Sequence, residues 1–87
     1  MQTIDEYITE LLQRRRSTRF KDLARILFES GFTIRQQKRG GSHVVFKHPL
    51  VNVLVVLVTH GKNDTLPEYQ ILQAVKALRQ LKEKSLL

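Results

Sequence analysis

The chain has 87 residues and carries 15 Lys and Arg against 8 Asp and Glu, a formal net charge of +7. This length fits one domain, and the 41% hydrophobic content is enough for one modest core, which argues against a wholly disordered chain. The absence of cysteine excludes disulfides, thiolate metal sites and cysteine nucleophiles. The longest apolar run, residues 53–58, is far shorter than the ~20 residues that span a bilayer, and acidic residues near the start contradict a signal peptide. We therefore expect a cytoplasmic protein that does not contact membranes.

The positive charge is concentrated in the middle of the chain. Residues 17–50 carry seven Lys and Arg against two acids, whereas residues 1–16 are neutral. Nucleic acid is the usual partner of such a basic patch. The alternative is a solvated basic face that keeps a small protein soluble.

Two amphipathic helices are predicted at the start of the chain. Thr3 and Glu6 form a capping-box pattern that begins the first helix, whose apolar face comprises Ile4, Ile8, Leu11 and Leu12. The second helix is predicted to start at Ser17 or Thr18 and to end at Gly31. Its apolar stripe comprises Phe20, Leu23, Ala24, Leu27 and Phe28.

Three strands are predicted next. Alternating residues indicate strands over 32–37 and 42–47, joined by a hairpin at 38–41. The Phe46 side of the second strand should face the core, which leaves His43 and Lys47 on the solvent side. The third strand, 51–58, is so continuously apolar that we expect cover on both faces over part of its length, by a helix or a partner protein.

A last helix completes the chain. Thr65 and Glu68 form a second capping-box pattern, with Pro67 in the first turn. The inward-facing residues should be Ile71, Leu72, Val75, Leu78 and Leu81. The order of elements predicts an α+β fold, with helices on one face of a three-stranded antiparallel sheet.

One histidine stands in a setting that favours proton transfer. His43 follows Gly40, Gly41 and Ser42 and begins a strand, with Lys38, Arg39 and Lys47 nearby in sequence. Histidine has an unperturbed pKa of about 6.5 and both takes and gives a proton near neutral pH. A fixed histidine among cations indicates acid/base chemistry on a polyanion. The alternative is an exposed sheet histidine with no chemistry.

The neighbours of this histidine have structural readings as well. Gly40 and Gly41 can serve the turn alone, or also let a phosphate approach backbone N–H groups. Ser42 fits a structural role better than a nucleophilic one, because no Asp/Glu–His arrangement surrounds it. His48 precedes a proline and fits a turn residue, while His60 is either a loop residue or a second acid/base group.

The motifs together resemble a known family. Gly31-Phe32, then Gly41-Ser42-His43 before a strand, then His60-Gly61-Lys62 before the last helix, resemble the HicA toxins, small mRNA interferases of bacterial toxin–antitoxin pairs. The resemblance covers about residues 18–87. It implies a fold like that of a double-stranded-RNA-binding domain, α-β-β-β-α, with His43 as the catalytic histidine and a HicB-like antitoxin covering the active face. We therefore divide the chain into an N-terminal helical extension, 1–16, and a HicA-like domain, 17–87.

The resulting expectation is an endoribonuclease toxin that cleaves mRNA and needs no cofactor. The 2′-hydroxyl of RNA would attack the adjacent phosphate with His43 as general base or acid, and nearby cations would stabilise the developing charge. A metal site is not expected, because Asp64 is the only acid close to any of the three histidines. The residues expected to contact RNA are Lys38, Arg39, Gly40, Gly41, Ser42, Lys47, His60 and Lys62.

The sequence also fits two other classes of function. A double-stranded-RNA-binding-like module would grip RNA without cleaving it. A protein-interaction domain would bind an acidic partner with its basic face. The extension, 1–16, is expected to pack on the domain itself or to meet a second copy in a homo-oligomer or the antitoxin.

Overall fold

A computed structural model describes residues 2–35, 43–58 and 63–85. Its elements, in chain order, are α1 (Ile4–Gln13), α2 (Phe20–Glu29), β1 (Thr33–Arg35), β2 (His43–His48), β3 (Val51–Val58) and α3 (Glu68–Ser85). The strands form one antiparallel sheet in the order β1-β2-β3. This confirms the predicted α+β architecture, with α1 preceding an α-β-β-β-α order. Among the described residues, no helix combines the length and the apolar character needed to cross a membrane.

Helix α1 begins with the predicted capping box and packs into the domain core. The Thr3 hydroxyl accepts from the Glu6 backbone N–H at 3.1 Å, and the Glu6 carboxylate accepts from the Thr3 N–H at 2.9 Å, which lowers the pKa of Glu6. Tyr7, a core residue absent from the predicted stripe, is buried beside Ile8 and Leu11. The extension thus packs on the chain's own apolar surface.

Helix α2 begins later than predicted. Thr18 does not cap it, because the Thr18 hydroxyl donates to the Arg14 carbonyl at 2.7 Å. The chain is extended here and pairs with the segment before α3: Leu66 N–H donates to the Thr18 carbonyl and Phe20 N–H to the Asp64 carbonyl, each at 2.9 Å. The helix therefore starts at Phe20, and it ends as predicted at a glycine with positive φ of 94°.

The buried stripes of α2 and α3 differ from the predicted ones. On α2, Ile26 is buried and Phe28 is 49% exposed. The Phe28 ring packs edge-on against the Phe46 ring, with 5.3 Å between the ring centroids. On α3, Leu72 is exposed, whereas Gln70 and two alanines join the core. A helical stripe read from sequence fixes the spacing of buried residues, but the neighbouring elements decide which side of the stripe is covered.

The sheet has one covered face and one open face. Val44 and Phe46 of β2 pair with Leu57 and Val55 of β3, and all four are buried. The residues between them point the other way, where Leu54 is exposed. Within 2–35, 43–58 and 63–85, the chain's own helices cover only one face of β3, so a helix does not supply the second of the two expected covers. Cover of the open face by a partner protein stays a prediction.

Helix α3 lies along the outer edge of β3 and supplies hydrogen-bond acceptors to three of its backbone N–H groups. The side-chain oxygens of Gln80, Gln73 and Gln70 accept from the backbone N–H groups of Asn52, Val56 and Val58 at 2.9, 3.4 and 3.2 Å. We call these three side chains the glutamine row. A free strand edge is a template for unwanted pairing, and the row occupies three of the N–H groups with which another strand would pair.

The predicted capping box of α3 is wrong. Thr65 forms an isolated bridge with Arg19, and Glu68 is the first helical residue. Pro67 precedes the helix, and its carbonyl accepts from the Gln70 N–H at 3.0 Å and the Ile71 N–H at 3.5 Å. Pairing of this segment with the start of α2 takes precedence over the local capping pattern.

Candidate functional site

His43 is the first residue of β2 and lies on the open face of the sheet. Its neighbour Val44 is buried, so the strand's alternation turns the His43 side chain outward, and it is exposed. Val58 is its pairing partner on β3. The backbone of His43 is therefore fixed by a strand pair while its imidazole faces solvent, as the sequence predicts.

Two cations share this face with His43. Lys47, predicted from sequence, is exposed four residues along β2, so its Cα is roughly 13 Å from that of His43. Arg35 ends β1 and pairs with Val45, which puts its Cα on the order of 8 Å from that of His43. Neither cation forms an ion pair with another residue in the described part of the chain.

Arg35 is a candidate site residue that the sequence prediction missed. Its closeness to His43 depends on the register between β1 and β2, in which Arg35 lies opposite Val45. Alternation along β1 alone puts Thr33 and Arg35 on the polar side, but only the pairing shows that this side is also that of His43. By position, Arg35 is better suited than Lys47 to act on a phosphate held at His43.

The centre of the open face is apolar. Val45 pairs with Val56, and Val58 and Leu54 continue the same side of β3. Val45, Val56 and Val58 are half-buried and Leu54 is exposed. The face therefore combines an apolar centre with a rim that carries His43, Arg35 and Lys47, and a surface of this composition suits both a polyanion at the rim and a protein at the centre.

The other predicted site residues lie outside the described residues. These are Lys38, Arg39, Gly40, Gly41, Ser42, His60 and Lys62. Their expected contacts with RNA stay predictions. Of the predicted site, the structure therefore places His43 and Lys47, and it puts both on one face.

A comparison with protein families shows which family the chain belongs to. The model of a family described as the HicA toxin of bacterial toxin–antitoxin matches residues 20–82, well over half of the chain. The chain belongs to the HicA toxin family. No curated protein and no solved structure matches. The match runs from the first residue of α2 into α3. This HicA toxin has the expected double-stranded-RNA-binding-like order of elements. The partner of a HicA toxin is an antitoxin.

His48, the other histidine in the part of the toxin that the structure describes, makes contacts that stabilise the fold. His48 ends β2, and its Nδ1 accepts from the Leu50 backbone N–H at 3.0 Å, which closes the turn before β3. Its ring packs edge-on against Phe32, 5.1 Å between centroids. A Cβ at Gly31 would lie 3.0 Å from His48 Nε2, so the glycine makes room for this ring as well as ending α2.

A second basic cluster lies at the start of α3. Arg15 Nε contacts the Glu68 carboxylate at 2.8 Å, and Arg16 Nε lies 3.7 Å from it. Both arginines come from the extension that the family match leaves out. Within 2–35, 43–58 and 63–85, no group of three His, Asp or Glu side chains could hold a metal ion.

Proposed function

We propose that this toxin is an endoribonuclease that cleaves mRNA, with His43 as general acid and base. The observation that carries the proposal is the placement of His43: an exposed imidazole on a backbone fixed by strand pairing, among cations of the same sheet face. An imidazole titrates near neutral pH, so it can take a proton from one oxygen and return it to another. The surrounding cations favour binding of a polyanion.

The chemistry that fits these groups uses the substrate's own nucleophile. His43 takes the proton of a ribose 2′-hydroxyl, whose oxygen attacks the adjacent phosphorus. The bond from phosphorus to the 5′-oxygen breaks, and this oxygen takes a proton from the imidazolium. The products are a 2′,3′-cyclic phosphate and a 5′-hydroxyl. General acid/base catalysis of this kind contributes about 10²–10⁴-fold.

The cations have separate parts in this proposal. Arg35, the closer one, stabilises the charge that develops on the phosphorane oxygens, as its planar donor fork is suited to do. Lys47 holds a more distant phosphate and so positions the strand. Lys38 and Arg39 are expected to add to both effects from the hairpin.

A HicB-like antitoxin is proposed to cover the open face. Val45, Leu54 and Val56 offer apolar area next to an exposed histidine and two cations. A partner with apolar side chains and a carboxylate opposite the cations would bury this centre and block RNA at the same time. This also explains why β3 reads as apolar on both sides in a chain that covers only one of them.

The test compares the two histidines of β2. His43→Ala should abolish toxicity on induction and RNA cleavage in vitro, with an unchanged circular dichroism spectrum, because an exposed side chain contributes little to packing. His48→Ala is the matched control: it should lower the melting temperature but keep cleavage in the protein that stays folded. Full toxicity of a folded His43→Ala variant would overturn the assignment, and RNA binding without cleavage by the wild type would indicate a binding module instead.

A further inference from the structure

Tyr69 is an exposed aromatic residue whose hydroxyl is linked through hydrogen bonds to β3, the strand that pairs with His43 of β2. It is 66% exposed, the most of the large apolar residues in the described chain. Its hydroxyl accepts from the side-chain amide of Gln70 at 3.1 Å, and Gln70, which is fully buried, accepts from the Val58 N–H at 3.2 Å. Val58 is the partner of His43. One chain of hydrogen bonds therefore runs from the edge of the site to the ring of Tyr69.

The hydrogen bond of the Tyr69 hydroxyl holds the ring in an exposed position. A surface tyrosine normally extends its hydroxyl to water, whereas here the hydroxyl turns inward to a buried amide and the ring stays exposed. Two torsions are thereby restricted before any partner binds, and pre-organisation reduces the entropy cost of a contact. The strand pairing and the two hydrogen bonds put the hydroxyl at most about 15 Å from the Cα of His43, a span that a few nucleotides can cover.

The charge beside Tyr69 also favours a nucleic acid. Glu68, the preceding residue, is the point where Arg15 and Arg16 converge, and the Arg16 side chain is 80% exposed. Two cations meet one carboxylate, so the group of side chains around Glu68, one residue before Tyr69 on α3, carries a net positive charge. An exposed aromatic ring with adjacent arginines is the combination that binds single-stranded nucleic acids, with stacking on the base and ion pairing to the phosphate.

We propose that Tyr69 is a stacking platform for an unpaired base of the RNA substrate, on the flank of the site that His43 marks. Arg16, from the extension, contacts a phosphate of the same strand. The proposal rests on the proposed function, since it assigns a base-binding position to that RNA. It also assigns the extension a contact with the substrate that the family-matched part of the chain lacks.

The experiment measures binding and does not depend on cleavage. In a His43→Ala background, which keeps the RNA intact, the Kd for a fluorescent single-stranded RNA is measured by anisotropy. Adding Tyr69→Leu removes the aromatic face but keeps apolar bulk, and it should weaken binding about 5- to 150-fold. Leu72→Ala is the matched control, an exposed apolar residue one turn along α3, and should leave the Kd unchanged.

A set of RNAs, each with one abasic position, then identifies the contact. At one position the abasic RNA should bind equally to the protein with Tyr69 and to the Tyr69→Leu variant, because the stacking partner is already missing. Arg16→Gln should weaken binding to every RNA of the set alike and lower its salt dependence.

The outcomes separate the two proposals. If the His43→Ala protein binds no RNA even at low salt, the proposed function fails and the stacking site with it. If that protein binds RNA and Tyr69→Leu does not change the Kd, the stacking site alone is overturned. If Tyr69→Leu weakens the antitoxin complex and leaves RNA binding intact, Tyr69 is a protein contact and the inference is likewise wrong. Circular dichroism confirms the fold of each variant, and Tyr69→Phe, which keeps the ring, should retain most of the affinity.

Discussion

The Tyr7 hydroxyl donates a hydrogen bond to the Glu29 carboxylate and so joins α1 to the last residue of α2. Tyr7 is almost completely buried, and Asp5 at the same end of α1 pairs with Lys82 of α3 at 2.7 Å. The additional helix is thus attached on two sides to the part of the chain that matches the HicA family. It behaves as part of the core rather than as an appendage.

The first prediction tests this role of α1 in the core. Leu11→Ala removes a fully buried side chain of α1 and should lower the free energy of unfolding by about 2–5 kcal/mol, the usual cost of such a cavity. Thr9→Ala, an exposed position on the same helix, is the control and should change it by less than about 0.5 kcal/mol. Urea denaturation measures both values. Equal stability of the two variants would show that α1 does not belong to the core.

The second prediction uses the hydrogen bond of Tyr7. The bond to Glu29, with burial and the nearby carboxylate charge, raises the pKa of Tyr7. A raised pKa means that folding favours the neutral phenol, so its stabilising effect is complete below the unfolded value of about 10 and is lost as the pH rises through the folded value. Tyr7→Phe should therefore lower the melting temperature by a few degrees at pH 7. The difference from wild type should shrink above pH 10, and a difference that grows there would contradict the sign.

Local sequence patterns correctly predicted those ends of helices and strands that depend on residues nearby in the sequence. The capping box of Thr3 and Glu6, the end of α2 at Gly31 and the bounds of β3 agree with the structure. The start of α2 does not, because Thr18 is engaged by residues far away in sequence. The exposure of Phe28 and Leu72 has the same origin, since packing between elements is invisible to a periodic pattern.

In the candidate site, too, the described residues predicted from local patterns lie where expected, and those that depend on contacts between elements were missed. Alternation along β2 predicted that His43 and Lys47 share the solvent side. Arg35 and Tyr69 were missed because their relation to His43 depends on strand register and on the position of α3 beside β3. The glutamine row was missed for a further reason: glutamine on a helix reads as a solvent-exposed residue, and its partner here is the backbone of another element.

The third prediction concerns the cations of the open face. Lys47→Gln should weaken RNA binding about equally for all sequences and reduce the slope of log Kd against log salt by about 0.7–0.9, the value for one lost phosphate contact. Lys21→Gln, an exposed lysine of α2, is the control and should leave the slope unchanged. Arg35→Gln should in addition reduce the cleavage rate constant at saturating RNA. An effect of Arg35→Gln on binding alone would remove its assigned role in stabilising the phosphorane.

The fourth prediction concerns the reaction itself. If the 2′-hydroxyl is the nucleophile and His43 moves the protons, cleavage should persist in EDTA. The upstream product should end in a 2′,3′-cyclic phosphate or the phosphate derived from it. Mass spectrometry of a cleaved oligonucleotide checks the product, and a substrate with 2′-deoxyribose at the cleavage site is the control and should resist. Cleavage of that substrate, or activity that returns only with added divalent metal, would contradict the mechanism.

The glutamine row also determines when, during synthesis, the outer edge of β3 gains its hydrogen-bond acceptors. A ribosome releases β3 before α3, and the acceptor for the Asn52 N–H, Gln80, comes 28 positions later. Until then the Asn52 N–H on the outer edge of β3 lacks this acceptor, and another strand can pair with it. A chain that stops before Gln80 never acquires that acceptor. Truncation within α3 should therefore produce insoluble protein rather than a smaller toxin, and synthesis of the last helix is the step that commits the chain to a single sheet of three strands.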